Sequence, residues 1–529
     1  MMKSTLLLLA GFSLALTGSL GCGDNATTTN GNGVGEFVEP GKSDNYLSPT
    51  SREYALTGVG KISLAADTWE QATTTDREAH VNEVLALRFK AYSHFINEYV
   101  TDKSSHDENK DYGGFGGLIH GSSLEFIVVP VDLAELEWEF LYELELGGPS
   151  NLLGLLPLTK NGDDENVFKV TVPVLSESML RSESYPRHFD PAVWDGEVTE
   201  IEVAIAPKAE SIDGYPEFNR LASDGVIDIM IVVGGDYNDK RYDLLSAASH
   251  FKWLKEAGFA SELTEYTQLA LDSKPFTKTL DMDGDPVRLE ITLLYPDIVE
   301  DADLDELRDV IIGGYQTHDI VIYDGHAGQD PDYSGVVYHY KPRHAISATK
   351  LGDLSLPTKY QIFVFNGCKT YGVYPESVYK NDTKTFENLD IVSTVNFSWL
   401  SQQTFTTSGL LSELFATPEK THDPRTWREV LTEINRKNNA NVYYGVHGID
   451  DNPHLNPYAD IAELCSPCKA NADCSGAGNI CVGFSSGFGC GAECTSDDGC
   501  PGGYQCGEIA VDGQISERQC VPNTFRCQQ

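Results

Sequence analysis

The chain has 529 residues, with 38 Lys and Arg against 80 Asp and Glu, a formal net charge of −42. That balance and a pI near 4.5 exclude a nucleic-acid binder, because a phosphate backbone needs basic patches. Hydrophobic residues at 41% and aromatics at 10% can build cores, so a wholly disordered chain is excluded too. At roughly 100–200 residues per domain the length suits about three folded units. The acidity itself reads as a solvated, salt-tolerant surface, with divalent-cation binding as the sharper alternative.

Residues 1–21 read as an export signal: Lys3 supplies the positive start, and Leu6–Leu16 is an apolar run too short for a membrane span. The run closes on Leu20-Gly21-Cys22, which resembles a bacterial lipobox with Cys22 as the acylated residue, although Ser19 stands where a bulky aliphatic is usual. Ordinary signal cleavage nearby, leaving Cys22 a plain thiol, is the other reading. Residues 22–50 are small and polar and cannot bury enough surface to offset their ordering entropy, so they read as a flexible tether. No later stretch reaches 18 apolar residues, which limits membrane contact to a lipid anchor.

Residues 51–215 carry alternating runs, among them Glu83–Phe89, Leu124–Val129, Val167–Val172 and Val198–Ile205, separated by turn signals such as Asn161-Gly162-Asp163. The pattern predicts a β-rich domain, a sandwich or similar. From residue 216 to 450 the pattern changes. Val226–Val233 is a nearly continuous apolar strand closed by Gly234-Gly235-Asp236. A helix follows over Lys240–Glu256, with Tyr242, Leu245, Ala248, Phe251 and Leu254 near one face. Val287–Tyr295 predicts a strand, Leu304–Ile312 a helix, and Asp319–Tyr323 and Gln361–Phe365 two short strands. Strand–helix alternation with buried strands predicts an α/β domain with a mostly parallel, doubly wound sheet.

After a linker at 451–464, residues 465–529 hold ten of the twelve cysteines: Cys465, Cys468, Cys474, Cys481, Cys490, Cys494, Cys500, Cys506, Cys520 and Cys527. A dense, even cluster in an exported chain is a disulfide framework, here of up to five bridges. The first eight form a repeat, C-x2-C-x5-C-x6-C answered by C-x3-C-x5-C-x5-C. A zinc reading of Cys465-x2-Cys468 has no accompanying His. With Cys22 assigned to lipid, Cys368 is left as the odd thiol and needs an explanation.

Two predicted strands end in suggestive turns. Asp319–Tyr323 runs into Asp324-Gly325-His326-Ala327-Gly328, and Gln361–Phe365 into Asn366-Gly367-Cys368. Ligands of open α/β sheets bind beyond the carboxyl ends of strands, so if the two strands are neighbours His326 and Cys368 meet there. A thiolate is the nucleophile of cysteine chemistry, and a nearby imidazole generates it and then protonates the leaving amine. Backbone N–H groups of Ala327 or Gly328 and of Cys368 can converge as an oxyanion hole. No orienter for His326 can be assigned; Asp324 is merely close in the chain.

These residues resemble the caspase–legumain–gingipain superfamily of cysteine peptidases, the clan CD fold, over about residues 220–440. Its members share an apolar strand ending in a His-Gly turn and a second strand ending in the catalytic Cys. Leu389–Trp399 looks like the strand and loop that line the caspase substrate pocket, and Ser408–Phe415 like the helix after it. The resemblance implies a caspase-like α/β fold, His326 and Cys368 as catalytic dyad, and a pocket drawn from Asn366, Ser393, Thr394 and Trp399. Ala327 replaces the Gly that normally follows the His, and Gly367 stands where a small residue, often Ala, precedes the Cys. Leu400 follows Trp399 where a basic residue would select Asp, and Asn366 offers no carboxylate for a basic substrate residue.

The remaining constellations are weaker. Asp281–Pro286 looks like a calcium loop, but its Gly falls at the fourth position rather than the sixth, which favours a hairpin turn. Asp301, Asp303 and Asp305 complement a helix start. His339-x4-His344 has no HExxH Glu and reads as loop histidines. His447-Gly448 is a second His-Gly pair, set aside because it follows no apolar strand. The sequence thus predicts an exported, surface-anchored, outer-membrane or cell-surface lipoprotein that is a cysteine endopeptidase acting on polypeptides. It needs no cofactor, calcium being the weak exception, and meets no nucleic acid. The alternative is a catalytically inactive caspase-like scaffold serving as a surface binding or adhesion lipoprotein.

Overall fold

The computed structural model describes residues 46–104, 118–119, 125–132, 136–437, 442–449, 458 and 464–527, apart from 187, 209, 212, 329–330, 387, 419, 475–478, 485, 495–499, 501–503 and 512–513. The export signal, Cys22 and nearly all of the tether lie outside these residues. The tether ends earlier than position 50. Tyr46, Leu47 and Ser48 are buried, Leu47 bridges Val446 antiparallel, and the Tyr46 ring fills the space a side chain on Gly445 would need. A large aromatic and a Leu within a polar run were the signal for this docking.

The N-terminal region is a seven-stranded antiparallel sheet built from β1 (Ser51–Ser63), β2 (Leu118–Ile119), β3 (Glu125–Asp132), β4 (Glu137–Pro149), β5 (Thr159–Lys160), β6 (Asn166–Pro173) and β7 (Val198–Pro207). Its other layer corrects two expectations. Glu83–Phe89 is no strand but lies inside the 31-residue helix α1 (Thr74–Ser104). Its buried residues Val81, Val84, Leu85, Phe89, Phe95, Ile96 and Val100 recur at the helical spacing, which a seven-residue window around Leu85 does not reveal. Among the described residues the second layer of this core is therefore α1, not the second sheet of a sandwich.

A second seven-stranded sheet has the order β16-β15-β14-β11-β8-β10-β9. Its strands are β8 (Val226–Val233), β9 (Phe276–Met282), β10 (Asp285–Leu294), β11 (Ile320–Asp324), β14 (Gln361–Asn366), β15 (Leu389–Thr394) and β16 (Tyr444–His447). The five from β15 to β10 in that order are mutually parallel, while β9 and β16 pair antiparallel at the two edges. All residues of β11, β14 and β15 are buried, the reason they read as apolar runs rather than alternating ones. Helices α2 (Tyr242–Glu256), α4 (Leu400–Leu414) and α5 (Trp427–Lys437) pack into the core on one face, and α3 (Leu304–Thr317) into the core on the other. A hairpin, β12 (Gly335–Tyr340) and β13 (Arg343–Ser347), interrupts the passage from β11 to β14.

Helix α2 is turned relative to the expected face. Leu245 is 56% exposed, and Asp243, Ala247, His250, Phe251 and Leu254 point inward. Three polar residues, Asp243, Ser246 and His250, occupy the buried stripe, so hydrophobicity alone misplaces it. The Asp281–Pro286 segment is a hairpin turn: Met282 pairs with Asp285, and Asp283 and Gly284 sit at φ 55° and 92°, the left-handed region that a tight turn requires. His447 also differs from expectation, because it does end a short strand, β16.

The C-terminal region contains five disulfides: Cys465–Cys527, Cys468–Cys481, Cys474–Cys490, Cys494–Cys506 and Cys500–Cys520. This pairing shifts the repeat by one cysteine. Its units are Cys468, Cys474, Cys481, Cys490 and Cys494, Cys500, Cys506, Cys520, each bonded first to third and second to fourth, with Cys465–Cys527 closing the pair. Such a framework belongs to a chain that matures in an oxidising compartment, outside the cytosol. Part of the expected linker is packed: the Tyr458 hydroxyl lies 2.6 Å from Nδ1 of His422. No helix among the described residues is long and apolar enough to cross a membrane.

Candidate active site

Strands β11 and β14 are parallel neighbours, with Asp324 opposite Asn366 at their carboxyl ends. The turns that follow touch: a Cβ on Gly367 would lie 2.6 Å from Cβ of Ala327, so only glycine lets them approach this closely. His326 and Cys368 therefore leave the sheet at the same edge and side by side. The end of β8 joins them, since Gly234 N–H donates to the Asp324 carbonyl at 2.7 Å. Two residues later stands Asp236.

Asp236 is the partner of His326. Its Oδ1 lies 2.9 Å from Nε2 of the imidazole, and it also accepts from Asn238 N–H at 3.1 Å, Asn238 Nδ2 at 2.6 Å and Tyr242 N–H at 3.0 Å. Burial pushes this carboxyl upward, but the bonds from His326, Asn238 and Tyr242 outweigh it and hold Asp236 below the ordinary carboxylate range. The backbone N–H of Asp236 is in turn held by Asp243, which pairs with Arg241. Tyr237 stacks on the imidazole at 4.6 Å between ring centroids, and Tyr340 of the hairpin meets it edge-on at 5.6 Å. With Nε2 committed to Asp236, Nδ1 is the nitrogen left for proton transfer.

Cys368 is the one free cysteine among the described residues and is half-buried. Its Sγ donates to the Ser398 carbonyl at 3.4 Å and accepts from Ser398 N–H at 3.5 Å. Burial pushes the thiol up, opposed by the Ser398 N–H and the charge of Lys369. Lys369 itself sits at φ 55°, a conformation that costs a non-glycine residue about 1–3 kcal/mol and fixes the nucleophile turn sharply. Cys368 and His326 are not hydrogen-bonded to each other, and neither is paired by proximity to Asp324. The N–H groups of Ala327, Gly328 and Cys368 make no hydrogen bond among the described residues.

Three of the four expected pocket residues are not at a surface. Asn366 is fully buried, its amide donating to Asp324 at 2.9 Å and to the Gln403 carbonyl at 3.1 Å, and its oxygen accepting from Ser398 Oγ and Tyr444 OH. Ser393 Oγ is buried against Nε2 of His447 at 3.2 Å, and the Thr394 hydroxyl binds Gly367 O and Thr370. Asn366 and Thr394 thus brace the Cys368 turn from beneath, because strand ends in a doubly covered sheet are sealed on both faces. Trp399 is half-exposed, edge-on to Phe397.

Asp324, close to His326 in the chain, faces away from it. It is sealed in the core with Oδ2 2.8 Å from Nε2 of His250, and its other oxygen accepts from Asn366 Nδ2 and Thr407 Oγ1 at 2.9 and 2.7 Å. Sequence reasoning missed Asp236, His250 and Ser398. Asp236 was detectable as the third strand-end turn, Gly234-Gly235-Asp236; His250 and Ser398 gave no comparable signal.

The groups with metal-holding spacing among the described residues, Cys468 with Cys474 and Cys490, and Cys494 with Cys500 and Cys520, are disulfide sulfurs and therefore not free ligands. His339 and His344 face each other across the β12–β13 hairpin, and Nδ1 of His339 lies 2.7 Å from the Pro342 carbonyl. No family model, curated protein or solved structure matches the chain.

Proposed function

We propose that the protein is a cysteine endopeptidase of caspase-like type, carried at the bacterial surface by a lipidated Cys22, in which Cys368 and His326 hydrolyse peptide bonds and Asp236 orients the imidazole. The observations that support this reading are the adjacency of the turns that follow β8, β11 and β14, which carry Asp236, His326 and Cys368, and the bond between Asp236 and His326. The sheet order, with an antiparallel last strand, is compatible with the superfamily that the His-Gly and Cys turns resemble.

Sγ of Cys368 attacks the substrate carbonyl carbon while His326 takes the thiol proton. The carbonyl oxygen gains its charge against the N–H groups of Ala327, Gly328 and Cys368. Collapse breaks the C–N bond, and His326 returns the proton to the departing amine. Water then attacks the thioester with His326 as base, releasing the acid and restoring the thiol.

The test is labelling of the folded, unreduced protein with iodoacetamide, mapped by mass spectrometry, together with a peptide-library cleavage screen. Cys368 should be modified about 10²–10⁴-fold faster than in His326→Ala. Equal rates in the two proteins contradict the dyad. The half-buried thiol, pushed up by burial, and the missing Cys368–His326 hydrogen bond favour one second reading, an inactive scaffold whose surface binds a partner. It predicts slow labelling indifferent to His326 and no cleavage.

A further inference from the structure

The β12–β13 hairpin stands between β11 and β14 in the chain, and a buried phenol fastens it to the His326 turn. Tyr323, next to last in β11, is fully buried. Its hydroxyl donates to the backbone carbonyl of His326 at 2.7 Å and accepts from the N–H of Val337, on β12, at 3.2 Å. Burial pushes the ionisation of this phenol upward, so it keeps the proton that it donates. Two glycines make the room: a Cβ on Gly234 would lie 2.8 Å from the hydroxyl oxygen, and one on Gly325 closer still.

Val337 uses its other backbone group on the other half of the His–Asp pair. Its carbonyl accepts from the N–H of Gly235 at 2.8 Å, one residue before Asp236. One hairpin residue therefore holds both backbones, that of Asp236 through Gly235 and that of His326 through the Tyr323 phenol. Between Val337 and His339 the register of β12 against β13 slips, a bulge of the kind that re-aims groups beside a site. Beyond the bulge, Tyr340 brings its ring edge-on to the imidazole at 5.6 Å. The 2.9 Å bond from His326 Nε2 to Asp236 is only as secure as the placement of these two backbones, because a hydrogen bond weakens steeply as its atoms separate or tilt.

We propose that Tyr323 is a positioning residue for His326, and that the β12–β13 hairpin, acting through this phenol and through Gly235, sets the placement of the imidazole against Asp236. The consequence for Cys368 reactivity rests on the peptidase reading; the hold on the imidazole does not. An ionised Asp236 can only accept, so the held ring carries its hydrogen on Nε2 and leaves Nδ1 bare. A ring released from that hold has no such preference imposed on it and divides between the two tautomers.

The first measurement is heteronuclear NMR of the imidazole nitrogens in the full-length, histidine-labelled protein at pH 9, with His326 assigned by its absence from His326→Ala. Wild type should show the Nε2–H tautomer alone, and Tyr323→Phe a mixture of both. The same single tautomer in the two proteins overturns the positioning role. The second measurement is iodoacetamide labelling of Cys368, expected to be slowed about 10–100-fold in Tyr323→Phe. Tyr315→Phe is the control, because Tyr315 lies in the same core and its hydroxyl has no hydrogen-bond partner among the described residues. Its labelling should match wild type. Equal slowing in Tyr315→Phe would assign the effect to a softened core and overturn the assignment to Tyr323, as would a wild-type rate in Tyr323→Phe. Should Tyr323→Phe not fold, Gly325→Ala, whose methyl group displaces the phenol from the His326 carbonyl, is expected to give the same mixed tautomers and the same slowing. Slow labelling of wild type that ignores His326 would instead count against the peptidase reading and leave the tautomer result standing.

Discussion

Two His–Asp pairs stand at the carboxyl ends of one sheet, and they are built for different work. His326–Asp236 joins Nε2 to a carboxylate at 2.9 Å with the imidazole 22% exposed, while His250–Asp324 makes the same contact at 2.8 Å with both side chains sealed. Asp236 draws its other hydrogen bonds from the backbone and side chain of the loop after β8, whereas Asp324 draws them from Asn366 on β14 and Thr407 on α4. The first pair is an imidazole held in place with one nitrogen left over. The second is a cross-brace that fixes the β11 and β14 ends on which the first depends. Identical chemistry becomes a candidate catalytic group or a structural bolt according to which side of the turn it faces.

Substitutions should separate the two pairs. Asp324→Ala leaves His250, Asn366 and Thr407 without their buried acceptor, so the largest expected effect is a loss of about 3–5 kcal/mol in urea unfolding. Asp236→Asn should cost stability only about 1–2 kcal/mol, chiefly through the Tyr242 N–H at the start of α2, yet slow Cys368 labelling by about 10–100-fold. If Asp236→Asn labels like wild type while Asp324→Ala does not, the roles assigned to the pairs are reversed.

The sequence made much of this sheet legible. Val226–Val233 is a strand at the residues predicted, and the β11 and β14 strands and their turns lie where the apolar runs stop. Doubly buried strands and Gly-bounded turns leave patterns that survive without tertiary information. Asn366, Ser393 and Thr394 did not announce that they face inward, because a buried polar residue is recognisable only by its partners, here Asp324, His447 and Thr370. The α1 stripe was hidden by a short window, and the disulfide pairing by the fact that spacing permits many connectivities.

Acidity offers a finer separation of the pairs. Because Asp236 is held below the ordinary carboxylate range, its contribution is present above about pH 3.9 and is lost as pH falls through its lower folded value. The stability gap between wild type and Asp236→Asn should therefore narrow below that pH, as read by urea midpoints at pH 3 and 7; a constant gap would remove Asp236's hydrogen bonds as the cause. The smallest expected effect is that of Tyr237, stacked on His326 and 49% exposed. Tyr237→Ala should weaken the hold on the imidazole by about 0.5–1.5 kcal/mol and slow labelling only several-fold, whereas an effect as large as that of Asp236→Asn would make stacking, not the carboxylate, the main restraint.

Catalysis at this site requires that the imidazole at the end of β11 act on the thiol at the end of β14. The most direct measurement is the rate of Cys368 alkylation in the folded protein at neutral pH, wild type against His326→Ala, with thermal unfolding of both as control. The prediction is at least about 10²-fold slower labelling in the variant at unchanged folding. Equal rates in two equally folded proteins would contradict it and leave the three strand-end turns as architecture alone.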